Sequence, residues 1–240
     1  MTKKITKLML NGQEYEIREY QAGRQPWANT IAYWKLNGNL NDEMWNYNWT
    51  IVWSSTTVNY TSLPWDNNIQ CAEIYSSRRD DGIALPVSID NEIFVNNVDF
   101  TFGWFINMPT VGNAEEMLYL EPSSSWVISL WIRNWNFYTE AIWQWRWNTT
   151  ANLSANTWYS VIWTYESSTY TWKYYVNGNL IDPVTKSQNY STKSWTNKAY
   201  LVRNNDYTLM SNLVLEKNIT RNQQEISLFH DTFKSLYWIS

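Results

Sequence analysis

The chain has 240 residues, a net charge of −4 and a pI near 5.1, which leaves no basic footprint of the kind nucleic acid requires. A single histidine, His230, rules out a multi-histidine metal site, and a lone cysteine, Cys71, rules out an intramolecular disulfide. No stretch reaches the ~18 continuous apolar residues of a membrane span and the N-terminus lacks the apolar run of a signal peptide, so the expectation is a soluble protein with no nucleic-acid partner and no membrane span.

Residues 1–28 read as an N-terminal attachment element and linker. Apolar alternation over 4–10 and 13–17 flanks Asn11-Gly12, a hairpin signal, and a polar run through Pro26 follows. A two-stranded hairpin is marginal by itself, so it is expected to dock on its own domain or on a partner. From 29 to 240 the chain reads as one domain. The alternation over 31–36 runs into Asn37-Gly38, and the same grammar returns at 173–181, where two strand-like runs flank Asn177-Gly178. Asn-Gly tolerates positive φ at both central positions of a type I′ turn. Further strands are expected at 50–53, 69–74, 82–86, 99–106, 116–120, 127–132, 137–143, 158–165, 198–203 and 209–216. Short strands spaced by Asn, Ser, Thr and Asp clusters, with no long helical pattern between them, predict an all-β, two-sheet antiparallel sandwich. Within it Phe100, Phe102, Trp104 and Ile106 share one face by the two-residue period and belong to the core. The period then changes: Thr220 and Gln223 match a capping box, and Ile226, Phe229, Phe233 and Leu236 recur at helical spacing, predicting a short C-terminal helix on the sandwich.

Eighteen tryptophans against seven glycines is an inverted ratio, since glycine alone ordinarily makes up roughly 7% of a chain. Trp45, Trp49, Trp53 and Trp135 stand in Asn- and Ser-rich turns, where positive φ favours glycine. This predicts a source that reads UGA as glycine, with Trp45, Trp49, Trp53, Trp135, Trp172 and Trp238 glycine in the natural protein. The alternative is a truly tryptophan-rich surface that serves carbohydrate binding.

Three segments together resemble the concanavalin A-like laminin G family: 31–42, with Tyr33, Leu36 and Asn37-Gly38; 98–106, similar to that family's aromatic core strand; and 156–181, from Trp158 through Asn177-Gly178. Trp163 and Trp172 fall where that pattern usually carries small residues. The closing strand 213–218 and the helix from Thr220 are similar too. The resemblance implies a jelly-roll fold over about residues 30 to 238, and calcium at a loop rim, for which Asp42, Asp80 and Asp81 are the candidate ligands. The N-terminal element followed by Pro26 and Trp27 resembles the start of phage structural proteins that carry such a domain.

Catalysis finds little support. A glycoside hydrolase needs two carboxylates facing one bond, whereas the adjacent Glu115 and Glu116 would point to opposite faces of a strand. For sugar binding the requirement is an aromatic platform beside amide or guanidinium donors, which Trp131, Arg133, Gln144 and Arg146 offer on two strands read as neighbours. The expectation is a non-catalytic carbohydrate-binding or structural module whose partners are glycans or other virion or surface proteins. Its expected setting is a phage particle, as a tail-fibre or decoration protein. The alternatives are a bacterial cell-surface adhesion protein, extracellular or on the cell surface, and a glycan hydrolase or lyase on the same fold.

Overall fold

A computed structural model of the chain describes residues 5–10, 13–18, 29–44, 46–52, 56–63, 66–76, 82–84, 98–109, 115–123, 126–133, 136–141, 145–148, 151, 153–169, 171–181, 198–203 and 207–237. In chain order the strands are β1 (Ile5–Leu10), β2 (Gln13–Arg18), β3 (Thr30–Trp34), β4 (Thr50–Val52), β5 (Thr56–Leu63), β6 (Asp66–Ser76), β7 (Gly82–Ala84), β8 (Phe100–Asn107), β9 (Glu115–Ser123), β10 (Trp126–Arg133), β11 (Asn136–Ala141), β12 (Trp145–Asn148), β13 (Trp158–Glu166), β14 (Thr171–Val176), β15 (Asn179–Leu180), β16 (Lys198–Arg203) and β17 (Tyr207–Lys217), followed by the helix α1 (Gln223–Tyr237). Strands β1 and β2 form a sheet of their own. The others divide into a seven-stranded sheet ordered β12-β11-β10-β9-β16-β7-β4 and an eight-stranded sheet ordered β15-β14-β13-β8-β17-β6-β5, with β3 added beside β17. The pairings are antiparallel, and the expected jelly-roll β-sandwich with one short C-terminal helix is the architecture observed.

Alternation along β8 builds both faces of the eight-stranded sheet. Phe100, Phe102, Trp104 and Ile106 enter the core between the sheets, together with Trp163, Tyr165, Trp172 and Tyr174 from β13 and β14. Phe105 emerges on the other side, where it joins Ile162, Tyr175 and Val214 beneath Ile226 and Phe229 of α1. Each such side chain contributes roughly 1.5–3 kcal/mol on burial, so a strand buried on both faces anchors two layers at once. Gly103 makes the central crossing possible, because a Cβ there would lie 2.7 Å from Ile162 Cγ1 and 2.9 Å from the Val161 carbonyl oxygen.

The turn chemistry divides as the backbone demands. Asn177 and Gly178 have φ of 49° and 76° and connect β14 to β15, the type I′ hairpin read from the sequence. Asn37-Gly38 closes no hairpin: β3 pairs with β17 across the chain, and Leu36 (φ 59°) and Gly38 (φ 86°) turn into a loop instead. Strand β5 was not anticipated, because its Thr-, Asn- and Ser-rich sequence carries little apolar alternation. The helix begins later than expected. Its cap is Asn222, whose Oδ1 accepts from the amides of Gln224 (2.9 Å) and Glu225 (3.0 Å), while Glu225 Oε2 accepts from the Asn222 amide at 3.0 Å. Gln223, the expected capping partner of Thr220, instead reaches out of the helix to Gly178 and Leu180.

The tryptophan positions are also redistributed. Among the described residues the left-handed backbone belongs to Leu36, Asn156, Asn177, Asn212 and Asn218 and to Gly38 and Gly178. Trp49 and Trp172 do not adopt it: Trp49 packs on Trp34 at 4.8 Å, and Trp172 is a buried strand residue edge-on to Phe100. The turn argument therefore fails at Trp49. Trp45, Trp53, Trp135 and Trp238 lie outside the described residues.

Candidate functional site

The seven-stranded sheet sorts its residues into two kinds of row. One row runs Ile51, Ile83, Leu201, Leu118, Leu130, Thr139, Trp147 through successive ladder partners. Ile83 is buried in the core, whereas Ile51 on the edge strand is 49% exposed, so the row is placed on the inner face through β7. Its neighbour runs Thr50, Ala84, Tyr200, Tyr119, Ser129, Glu140, Arg146, again one residue per strand. Since successive residues of a strand alternate between faces, the second row stands on the outward face.

Trp131 and Arg133 belong to β10 and Arg146 to β12, and β11 lies between them. The expectation of adjacent strands is corrected in that respect. Trp131 is opposite Tyr138, which is opposite Asn148; Arg133 is opposite Asn136. A register shift after Leu130 sets Glu116 opposite Trp131. Gln144 lies outside the described residues. The inserted strand supplies what sequence reading missed, namely Tyr138, Glu140 and Asn136, and the two strands beyond add Tyr119 and Tyr200. The signal that would have found them is the complementary alternation, apolar at 118, 130 and 201 and polar or aromatic one position away. By register these positions interleave aromatic residues with carboxylate, amide, hydroxyl and guanidinium ones.

Of the calcium candidates, Asp80 and Asp81 lie outside the described residues. Asp42 is buried and already engaged: Oδ1 accepts from the amides of Tyr33 (2.8 Å) and Met44 (3.0 Å), and Oδ2 from those of Asn46 (3.1 Å) and Tyr47 (3.0 Å). Its own amide donates to Asn48 Oδ1 at 2.9 Å. Four donors take up essentially the whole acceptor capacity of a carboxylate, so Asp42 fastens the 36–49 loop and has no lone pairs left for a cation. Among the described residues no group of three His, Cys, Asp or Glu side chains is placed to hold a metal ion.

A serine–histidine pair also emerges. Ser160 Oγ and His230 Nδ1 are 2.9 Å apart, both buried between α1 and the eight-stranded sheet. Burial lowers the imidazole from its ordinary value, Asp231 raising it and Lys234 lowering it further. The neighbouring carboxylate, Asp231, is paired with Lys234 at 2.7 Å. Sealed under the helix, the pair acts as a packing pin.

No protein-family model matches the chain, and no curated protein matches it by sequence. Solved structures do resemble it. Domain 4 of an extracellular GH43 arabinanase from Geobacillus stearothermophilus, solved in complex with arabinotriose, superposes with a TM-score of 0.65 at 12% identity, over 84% of this chain and 98% of that one. Trypanosoma rangeli sialidase gives 0.62 at 15% identity over 86% of this chain and 33% of its own. The binding domain of botulinum neurotoxin serotype D gives 0.59 at 16% identity, over 85% and 50%. The chain thus spans about a third of the sialidase and half of the toxin fragment, and at these identities the likeness is one of fold.

Proposed function

We propose that the chain is a non-catalytic carbohydrate-binding module and that the outward face of the seven-stranded sheet, centred on Tyr119, Tyr200, Trp131, Tyr138, Arg133 and Arg146, is its glycan-binding surface. The carrying observation is the pair of cross-strand rows that set aromatic positions beside hydrogen-bonding ones on one face. Support comes from the arabinotriose-bound domain of the same fold, which this chain matches over nearly that domain's whole length. The test is isothermal titration of the full chain with a panel of oligosaccharides, arabinotriose included. Tyr119→Ala and Tyr200→Ala should each weaken the binding at this face about tenfold, or 1.4 kcal/mol; unchanged affinity in both variants would remove the face from consideration. Absence of turnover belongs to the same reading: no reducing sugar should be released from a polysaccharide panel, and hydrolysis abolished by one carboxylate substitution would make the protein an enzyme.

The setting we propose is the surface of a phage particle, as a tail-fibre or decoration protein, with a bacterial adhesion protein as the alternative. The resemblance of residues 1–30 to the start of phage structural proteins supports it, and mass spectrometry of purified virions tests it. The UGA reading accompanies that setting. It draws support from the composition, eighteen tryptophans against seven glycines. UGG codons at the six positions would end it. The tyrosines of the proposed surface are untouched by either outcome.

A further inference from the structure

The outward face of the eight-stranded sheet packs beneath α1 as far as Cys71 and Leu209 and continues past them onto β5, β6 and the start of β17. On β5, β6 and β17 the core takes Ala72, Ile74 and Met210, with Val58 and Tyr60 packed against it. Alternation sends Thr57, Asn59, Glu73, Tyr75 and Tyr207 to the opposite side. They line up across three strands: Thr57 opposite Tyr75 and Tyr75 opposite Tyr207 in one row, Asn59 opposite Glu73 in the next. Tyr75 is 46% exposed, whereas Tyr33, Trp34, Tyr165 and Trp172 are all buried. Directly opposed residues bring their Cβ atoms to within about 4.5–5.5 Å, so Tyr75 and Tyr207 occupy opposed positions near the sheet edge, with the exposed Tyr75 ring as the platform. Burial, followed by a hydrogen bond and the negative charge from Glu73, pushes the Tyr207 hydroxyl up to about 12, which keeps it a protonated donor to that carboxylate. Glu73 is the one acidic residue among these five positions.

We propose that this platform is a second saccharide-binding surface, selective for neutral sugars: a pyranose or furanose ring stacks on Tyr75, its hydroxyls donate to the Glu73 carboxylate, and the Asn59 amide serves the next sugar along. The aromatic face supplies the apolar contact that the C–H face of a sugar needs, and one carboxylate supplies acceptors while repelling uronic and sialic acids. The surface stands on different strands and different residues from the face of the seven-stranded sheet, and it contains no tryptophan.

The test is a titration of the isotopically labelled full chain, followed by amide chemical shifts, with arabinotriose, cellohexaose, maltohexaose and chitohexaose as neutral probes and oligogalacturonate as the anionic one. The expected result is that at least one neutral probe shifts the amides of Asn59, Glu73, Tyr75 and Tyr207. Tyr75→Ala should abolish those shifts or weaken them about tenfold, Tyr75→Phe should keep them, and Glu73→Gln should admit the anionic probe. No movement of these amides with any neutral probe, movement unaffected by Tyr75→Ala, or preference for oligogalacturonate in the unaltered chain would each overturn the proposal. Amides of β9 and β16, with Tyr119→Ala as control, report the other face separately, so the failure of either surface leaves the other's result readable.

Discussion

Four backbone amides converge on the Asp42 carboxylate, and the side chain is buried, so its loss strands several donors away from water. An unsatisfied buried donor costs roughly 1–3 kcal/mol and the costs at one cluster are not additive. Asp42→Ala is therefore expected to lower stability by about 3 kcal/mol or more, read from the urea midpoint at unchanged slope, whereas Asp42→Asn, which retains one acceptor oxygen, should lose less. Equal small losses for both, or a midpoint in unaltered chain that rises with added calcium, would show that the loop is held another way. The sequence exposed Asp42 as a carboxylate in a turn-rich run, and the resemblance attached calcium to it. Nothing in the letters could show that its acceptors are filled by amides, including that of Tyr33, nine residues earlier. The tryptophans are a similar case. Trp34 donates to the Tyr47 carbonyl at 2.7 Å, while Trp49 and Trp104 bury indole N–H groups without acceptors, a difference that no local sequence context distinguishes.

The helix is legible as an element because its apolar period is long, but its anchoring is not. Gln223 binds the Gly178 carbonyl and accepts from the Leu180 amide, Ser227 Oγ donates to the Gly178 carbonyl at 3.0 Å, and Ser160 meets His230. All these contacts fall on strand β13 or the β14–β15 hairpin, and Gly178 is required twice over. Its φ is positive, and an added Cβ would lie 3.2 Å from both His230 Cβ and Ser227 Cα. The capping network beside it is equally tight: Arg221 forks onto Glu216, a fully buried carboxylate raised by burial and lowered by that arginine. The histidine gives this element a pH signature. With the folded imidazole below its unfolded value of about 6.5, the unfolded chain takes up the proton first as pH falls. The stabilisation is thus complete above about pH 6.5 and is lost as pH drops through the window down to the folded value. Facing His230, the helix offers Asp231 and Lys234, which pair with each other, and the sheet offers the neutral Ser160. Glu216 works in the opposite sense: burial holds its carboxyl above the ordinary 4.5, so its stabilisation is complete below that value and is lost as pH rises through the raised folded value. Urea melts between pH 5.5 and 7.5 should show stability decreasing toward acid, and His230→Gln should flatten that slope; an unchanged slope would assign it to other groups.

At the scale of the whole molecule the two-sheet architecture was readable from strand spacing, whereas strand order was not, because it is set by partners far apart in the chain. Strand β17 is the case that matters most. One side of it pairs with β8, and the other pairs first with β6, through Tyr207 to Met210, then with β3, through Leu213 to Glu216. The change of partner occurs at a register shift where Asn212, with φ 50°, donates its amide to the Lys35 carbonyl at 3.2 Å. A strand from the last sixth of the chain therefore joins three earlier ones, and β8 and β6 have no ladder between them without it. A chain ending at residue 206 should lose the middle of the eight-stranded sheet along with α1, exposing Phe105, Ile162 and Tyr175 as well as two long edges. The expected outcome is loss of the cooperative urea transition and of dispersed amide resonances. Removal of residues 1–28 deletes the sheet that β1 and β2 form with each other, and it should leave a single cooperative transition in place. If the shorter C-terminal truncation melted cooperatively, β17 would be a late addition to a sandwich already complete; if the N-terminal deletion abolished cooperativity, the hairpin would belong to the core of this domain and not to an attachment.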